Sequence, residues 1–255
     1  MTSNNVPLKM STGDKTNLKK ILRVECLPAL GGQWKYFSTE AVKAWLNRHK
    51  IQCPPATLNH YLHEFCRNGL IHDAGRGWYS SLATPFTLDR EPISSLVQEL
   101  NKTFPLVEFS CWSTEQIKGA MHHLLSRFVT VVNVEADSME SVWEHLRDTG
   151  WNAWLNPRGA EAARFAVRER TVVVRRESRK SPSKEPSAPI EKLLVELYFE
   201  ARDLQFMALP EFHTMLANLA GTQRIQMATL IAYATERKLP LKKLLGEKHQ
   251  LIPPF

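Results

Sequence analysis

Between Phe37 and Tyr79 two amphipathic helical patterns follow one another across a short Cys53-Pro54-Pro55 turn and run at once into a glycine-flanked hairpin. Few topologies accommodate that succession. Ser38 stands as an N-cap before a helix over about Thr39 to Arg48, with Val42, Trp45 and Leu46 on its inner face and Lys43, Asn47 and Arg48 on its outer one. The second helix runs from about Pro55, a residue well tolerated in a first helical turn, to Arg67. In it Leu58, Tyr61, Leu62 and Phe65 take the i, i+3, i+4, i+7 spacing of one buried face. Thr57, Asn59, His60, His63, Glu64 and Arg67 face the other way. Asn68-Gly69-Leu70-Ile71 then leads to a tight turn at Gly75-Arg76-Gly77-Trp78-Tyr79. Helix, turn, helix, hairpin is the layout of a winged helix-turn-helix.

In such a module the second helix offers polar side chains to base edges in the major groove, and a basic residue on the wing reaches a phosphate or the minor groove. The candidate DNA-binding residues are therefore Thr57, Asn59, His60, His63 and Arg67 on the helix and Arg76 at the hairpin tip. Lys43, Arg48 and Lys50 add positive charge just before the turn. A winged helix serving only protein contacts has the same pattern, so the charge distribution matters. Lys and Arg outnumber Asp and Glu by 12 to 6 over residues 1–90, against 10 to 11 over 91–176 and 11 to 9 over 177–255. Most of the basic excess thus lies in the segment expected to meet a phosphate backbone.

Cys26, Cys53, Cys66 and Cys111 show no paired spacing, and the chain starts without an apolar signal segment, which fits a reducing cytoplasm. No run of 18 apolar residues exists, so no membrane partner is expected.

Residues 1–16 are polar and without periodicity, as in a flexible tail. A first short helix comes next, ending at Pro28 or Gly31-Gly32, and the DNA-binding domain is expected over 17–90. Beyond the turn-rich Pro85 to Pro92 stretch, Ile93 to Leu100 reads as a linking helix. Strands are expected over Leu106 to Trp112, Arg127 to Glu135, Trp151 to Leu155 and Arg170 to Arg175. Between them, Ser113-Thr114-Glu115-Gln116 opens a helix through Leu125, and Asp137-Ser138-Met139-Glu140 caps another with Met139, Val142, Trp143 and Leu146 inside. This alternation predicts an α/β mixed-sheet domain over 91–177. Residues 178–189 have the composition of an exposed linker, and Ile190 to Ala201, Leu209 to Ala220 and Gln223 to Lys238 read as helices of a C-terminal region, 190–255, packed on the sheet. The fold class expected is α+β: an N-terminal winged helix-turn-helix, then an α/β mixed-sheet domain with a C-terminal helical subdomain.

Catalytic signatures are sparse. No Asp-x-Asp or Asp-x-Glu pair sits near a strand end, and the one Glu-x-Lys, Glu236-Arg237-Lys238, reads as a solvated helix face. Cys53, His60, His63 and Cys66 have the residue types of a zinc set, but His60, His63 and Cys66 step around a helix and do not face one point. His122 and His123, being adjacent, point to different sides. There is no Gly-x-Ser-x-Gly and no phosphate-cradling glycine loop. The expectation is a non-enzymatic protein with no catalytic residue, no cofactor and no metal.

Three further stretches carry a resemblance: Phe109-Ser110-Cys111-Trp112-Ser113-Thr114, the valine-rich Phe128 to Glu135, and Ile190-Glu191-Lys192-Leu193-Leu194-Val195-Glu196-Leu197. With Ile231 to Arg237, whose Tyr233-Ala234 and Arg237 match a Tyr-Ala-x-x-Arg ending, they occur in the order found in AbiE-type antitoxins, the regulator halves of bacterial type IV toxin-antitoxin pairs. The chain resembles that family over roughly residues 20 to 240. The resemblance implies a cytoplasmic phage-defence protein that binds operator DNA, as a homodimer in one arrangement, represses its own operon and counteracts a nucleotidyltransferase toxin. The linker at 178–189 departs from the family's tighter connection. The alternatives are a DNA-acting enzyme with a nuclease-like α/β domain, and a plain winged-helix transcription regulator.

Overall fold

The computed structural model describes residues 12–121, 127–246 and 251–253. His122, His123 and Leu125 lie outside the described residues, as do residues 1–11 of the expected tail; its remainder is not a tail, because helix α1 spans Thr12–Ile21. The chain divides into two compact units between Ala83 and Thr84, and its C-terminal end belongs to the first.

In the first unit α1 runs through a π-helical turn, Leu22–Cys26, directly into α2 (Leu27–Gln33). Pro28 does not end the helix as its sequence position predicts. It falls in the first turn of α2, where its missing N–H leaves no bond unmade, and the wider turn before it lets the Leu27 N–H donate to the carbonyl of Leu22, five residues back. Strand β1 (Tyr36–Ser38) comes next, then α3 (Thr39–Arg48), capped by the Ser38 Oγ accepting from the Ala41 N–H at 3.1 Å, and α4 (Pro55–Arg67). Strands β2 (His72–Asp73) and β3 (Trp78–Ser80) form the hairpin, and β3 also pairs antiparallel with β1, giving the order β1-β3-β2. The hairpin turn requires Gly75 and Gly77, which have φ of 95° and 74°. Leu18, Leu22, Leu30, Phe37, Val42, Leu46, Leu58, Leu62 and Phe65 are buried together, so α1 to α4 share one core.

The second unit is built on a mixed sheet of order β4-β5-β7-β6: β4 (Phe109–Ser113), β5 (Val129–Val134), β6 (Asn152–Leu155) and β7 (Thr171–Arg176). β4 runs antiparallel to β5, while β7 lies parallel to both β5 and β6. Because strand side chains alternate, Cys111, Val132, Val134, Val172 and Val174 share one face, and there they meet Ile93, Leu96 and Leu100 of α5 (Glu91–Thr103) and Val142 and Leu146 of α6 (Met139–Asp148). The segment around Ile93 is therefore a core helix and not a connection. The first strand begins later than its pattern predicts, leaving Leu106 95% exposed. The Ser113/Gln116 capping box is formed, yet it opens the 3₁₀ stretch Thr114–Ala120 in place of an α-helix. Ser138 makes no side-chain cap; the 3₁₀ turn Ala136–Ser138 leads into α6 instead.

The opposite face receives α7 (Ile190–Leu204), with α8 (Leu209–Thr222), α9 (Met227–Glu236) and the short α10 (Leu241–Leu245) behind it. The stretch 178–189 is no free linker. The Cys111 N–H donates to the Pro186 carbonyl at 2.6 Å and the Ala188 N–H to the Cys111 carbonyl at 2.9 Å, so this stretch satisfies the outer edge of β4, which would otherwise expose unpaired backbone groups. Among the described residues no helix is long and apolar enough to cross a membrane.

Candidate functional site

Two groups of side chains stand out, one exposed in the first unit and one buried in the second. On α4 the burial of Leu58, Tyr61, Leu62 and Phe65 turns Asn59, His60, His63 and Arg67 to solvent, with Asn59, His63 and Arg67 at i, i+4, i+8 forming one stripe. Arg76 is exposed at the hairpin tip, where the Trp78 N–H donates to the Gly75 carbonyl at 2.8 Å. Arg48 and Lys50 are exposed at the end of α3, Lys50 in a left-handed conformation with φ 58°. Among the described residues Arg48, Lys50, Arg67 and Arg76 form no salt bridge. Lys43 does, to Glu40 at 2.7 Å, and Thr57 is half-buried, so these two are less available than their helical positions predict. Glu64 also departs from the expected outer face: it is half-buried and bound by Lys19 at 2.5 Å, a bond that holds its carboxyl below the usual range.

The buried group lies between the sheet and α7. Glu196 is its hub. One carboxylate oxygen accepts from Trp112 Nε1 at 2.7 Å and from Asn133 Nδ2 at 2.9 Å; the other accepts from the Tyr233 hydroxyl at 2.7 Å and faces Arg237 at 3.4 Å and Lys192 at 3.7 Å. Lys192 has no exposed surface and donates to Glu177, at 2.6 and 2.5 Å, and to the hydroxyls of Ser110 and Ser181. Arg175 grips Glu200 through two bonds of 2.8 and 2.6 Å and also reaches the Asn156 side chain and the Pro157 carbonyl. Glu177, Glu196 and Glu200 thus face Lys192, Arg175 and Arg237, a charge-balanced arrangement of the kind that tolerates burial. Burial raises the carboxyl pKa of Glu200 against the opposing pull of Arg175, and burial raises that of Glu191, whose carboxylate accepts the Gln226 N–H at 2.7 Å. The Tyr233 hydroxyl is pushed well above its usual range by burial and by the adjacent Glu196.

Chemically this centre is a clamp. The Ser110 hydroxyl donates to the Glu177 carboxylate and accepts from Lys192, so it is held inside this network. A cavity of about 740 Å³ adjoins it at one end of the sheet, lined among others by Glu108, Glu135, Asp137 and Glu177. Glu108, Glu135 and Glu177 each lie one position beyond the matched Phe109, Val134 and Arg176 of adjacent strands. Among the described residues no group of three or more His, Cys, Asp or Glu side chains is disposed to hold a metal ion.

Arg237 overturns the reading of Glu236-Arg237-Lys238 as a solvated face: it turns inward to Glu196 and to the Tyr233 hydroxyl and stacks over Phe199 at 4.9 Å. The centre as a whole escaped sequence reasoning. Its signal was present as two polar residues, Asn133 and Arg175, at inward positions of valine-rich strands, where burial demands a partner.

Residues 57–248 match a family described as "Family of unknown function (DUF6577)". The chain belongs to that family. The DUF6577 match begins within α4, so it takes in the exposed helix stripe, the hairpin and every residue of the buried centre. No curated protein matches the chain.

Proposed function

We propose that this DUF6577 protein is a DNA-binding antitoxin that represses its own operon and counteracts a nucleotidyltransferase toxin. The observation that carries the reading is the exposed face of α4: Asn59, His60, His63 and Arg67 stand clear of the core, with Arg76 at the hairpin tip, and neither arginine forms a salt bridge among the described residues. The order helix, strand, helix, helix, hairpin, with β1 paired to β3, supports taking this unit as a winged helix-turn-helix. Arg48, Lys50, Arg67 and Arg76 then meet phosphates while Asn59 and His60 meet base edges.

The toxin-countering part of the reading rests on the AbiE-type resemblance. It is supported by the way the separate stretches carrying that resemblance converge: Trp112, Asn133, Glu196, Tyr233 and Arg237 bond within one cluster. The test has two arms. The intact protein is titrated against DNA from upstream of its own gene and against random DNA, and it is co-expressed with any adjacent nucleotidyltransferase gene. Selective binding and restored growth are expected. Absence of DNA binding removes the first half of the proposal, and failure to restore growth removes the second.

One observation favours a second reading. Glu108, Glu135 and Asp137 line the 740 Å³ cavity at the strand ends of the sheet, the acidic setting a nuclease-like α/β domain would use, while Glu177 there is already held by Lys192. Magnesium- or manganese-dependent DNA cleavage, abolished in Glu135→Gln, decides for it.

A further inference from the structure

At the sheet end remote from the buried clamp, where β4 finishes and β5, β6 and β7 begin, a smaller cavity of about 290 Å³ opens. Arg127, Arg168 and Arg170 line it, together with Phe128 and Trp151, and all three arginines are exposed. Among the described residues none of the three forms a salt bridge, although two carboxylates lie in the same wall. Glu115 is taken by Lys118 at 3.1 Å, and Glu169 is exposed and makes no ion pair among the described residues. Among the described residues the guanidinium of Arg127 reaches only the Val167 carbonyl and that of Arg170 only the Thr149 carbonyl, each at 3.3 Å, so most of their donors are uncommitted there. Arg170 is held at φ 52° and lies over the Trp151 ring at 4.5 Å. The Trp151 indole N–H is itself buried and has no acceptor among the described residues.

Guanidinium groups with uncommitted donors are short of an oxyanion. We infer that this cavity is a binding site for the phosphate group of a small phosphorylated ligand, of the nucleotide class. Its volume sits at the lower bound of ligand pockets, roughly 300 Å³, and a concavity of that size suits a small molecule and not a duplex. Arg168 and Arg170 hold the phosphate in bidentate fashion, and Phe128 and Trp151 offer aromatic surface beside it. The site is independent of the DNA-binding reading, since it uses none of the residues assigned to DNA.

The test is calorimetric titration of the full-length protein with pyrophosphate and with ATP. Saturable binding of both is expected, weakened about tenfold or more by Arg168→Ala and by Arg170→Ala. Arg147→Ala, on the exposed side of α6, leaves it unchanged. No saturable binding of either probe, or equal binding by wild type and both arginine variants, overturns the inference. A dependence on Arg168 for single-stranded DNA but not for pyrophosphate or ATP overturns the small-ligand assignment.

Discussion

Glu196 shows what one buried carboxylate does when every neighbour is committed to it. Replacing it by Ala strands the Trp112, Asn133 and Tyr233 donors and leaves Lys192 and Arg237 short of negative charge. Breaking a buried ionic group by removing one partner costs roughly 3 to 5 kcal/mol. We expect Glu196→Ala to lower unfolding stability in urea by about that amount, and a loss under about 1 kcal/mol would mean the clamp is not a stabilising unit. Glu191 should behave differently, because burial raises its carboxyl pKa and no salt bridge among the described residues offsets it. The folded state then binds that proton more readily than the unfolded chain, so this residue's contribution falls as pH rises from the ordinary carboxylate value through the raised one. Glu191→Gln keeps an acceptor for the Gln226 N–H. Its melting temperature is expected to equal or exceed wild type at pH 7, with the difference gone below about pH 4. A lower melting temperature at neutral pH would contradict this.

Helices α4 and α7 were unequally legible, and the difference is physical. In α4 the apolar residues Leu58, Tyr61, Leu62 and Phe65 make a single stripe, so the polar remainder could be assigned to solvent from spacing alone. In α7 the polar residues Lys192, Glu196 and Glu200 also form an i, i+4, i+8 stripe, and local reasoning would send it to water. It is buried because its partners arrive from distant strands, Trp112 lying 84 residues from Glu196, which no local pattern encodes. The 3₁₀ stretch after Ser113 and the helix running on past Pro28 are likewise set by surroundings that capping and proline rules do not contain. At the exposed element the expectation is a division of labour. Arg76→Ala should weaken binding to operator and random DNA alike and lower the salt slope by about one. Asn59→Ala should cost roughly 1 to 3 kcal/mol on the operator with little effect on random DNA. Equal losses on both DNAs for both variants would mean that α4 does not read sequence.

On the scale of the whole molecule, the chain's end is part of its beginning. Leu251 is 4% exposed, and its carbonyl accepts the N–H of Tyr36, the first residue of β1. That bond belongs to the strand that pairs with β3 and so anchors the hairpin carrying Arg76. A split of the chain between Ala83 and Thr84 therefore removes a buried residue from the first unit, and a fragment ending near residue 90 is a poorer test of the proposed DNA binding than the intact chain. The same geometry makes a selective lesion. Leu251→Ala deletes a buried side chain of the first unit, a change worth about 2 to 5 kcal/mol in a core. Hydrogen exchange should show faster exchange at the backbone N–H groups of Tyr36 and Ser80 in this variant, with those of Val131 and Val173 unchanged. DNA binding should fall in step with the first unit's stability, while any toxin-countering activity, assigned to the second unit, persists. Uniform loss of protection across both units would show that they unfold as one, and would remove the basis for assigning the two activities to separate parts of the chain.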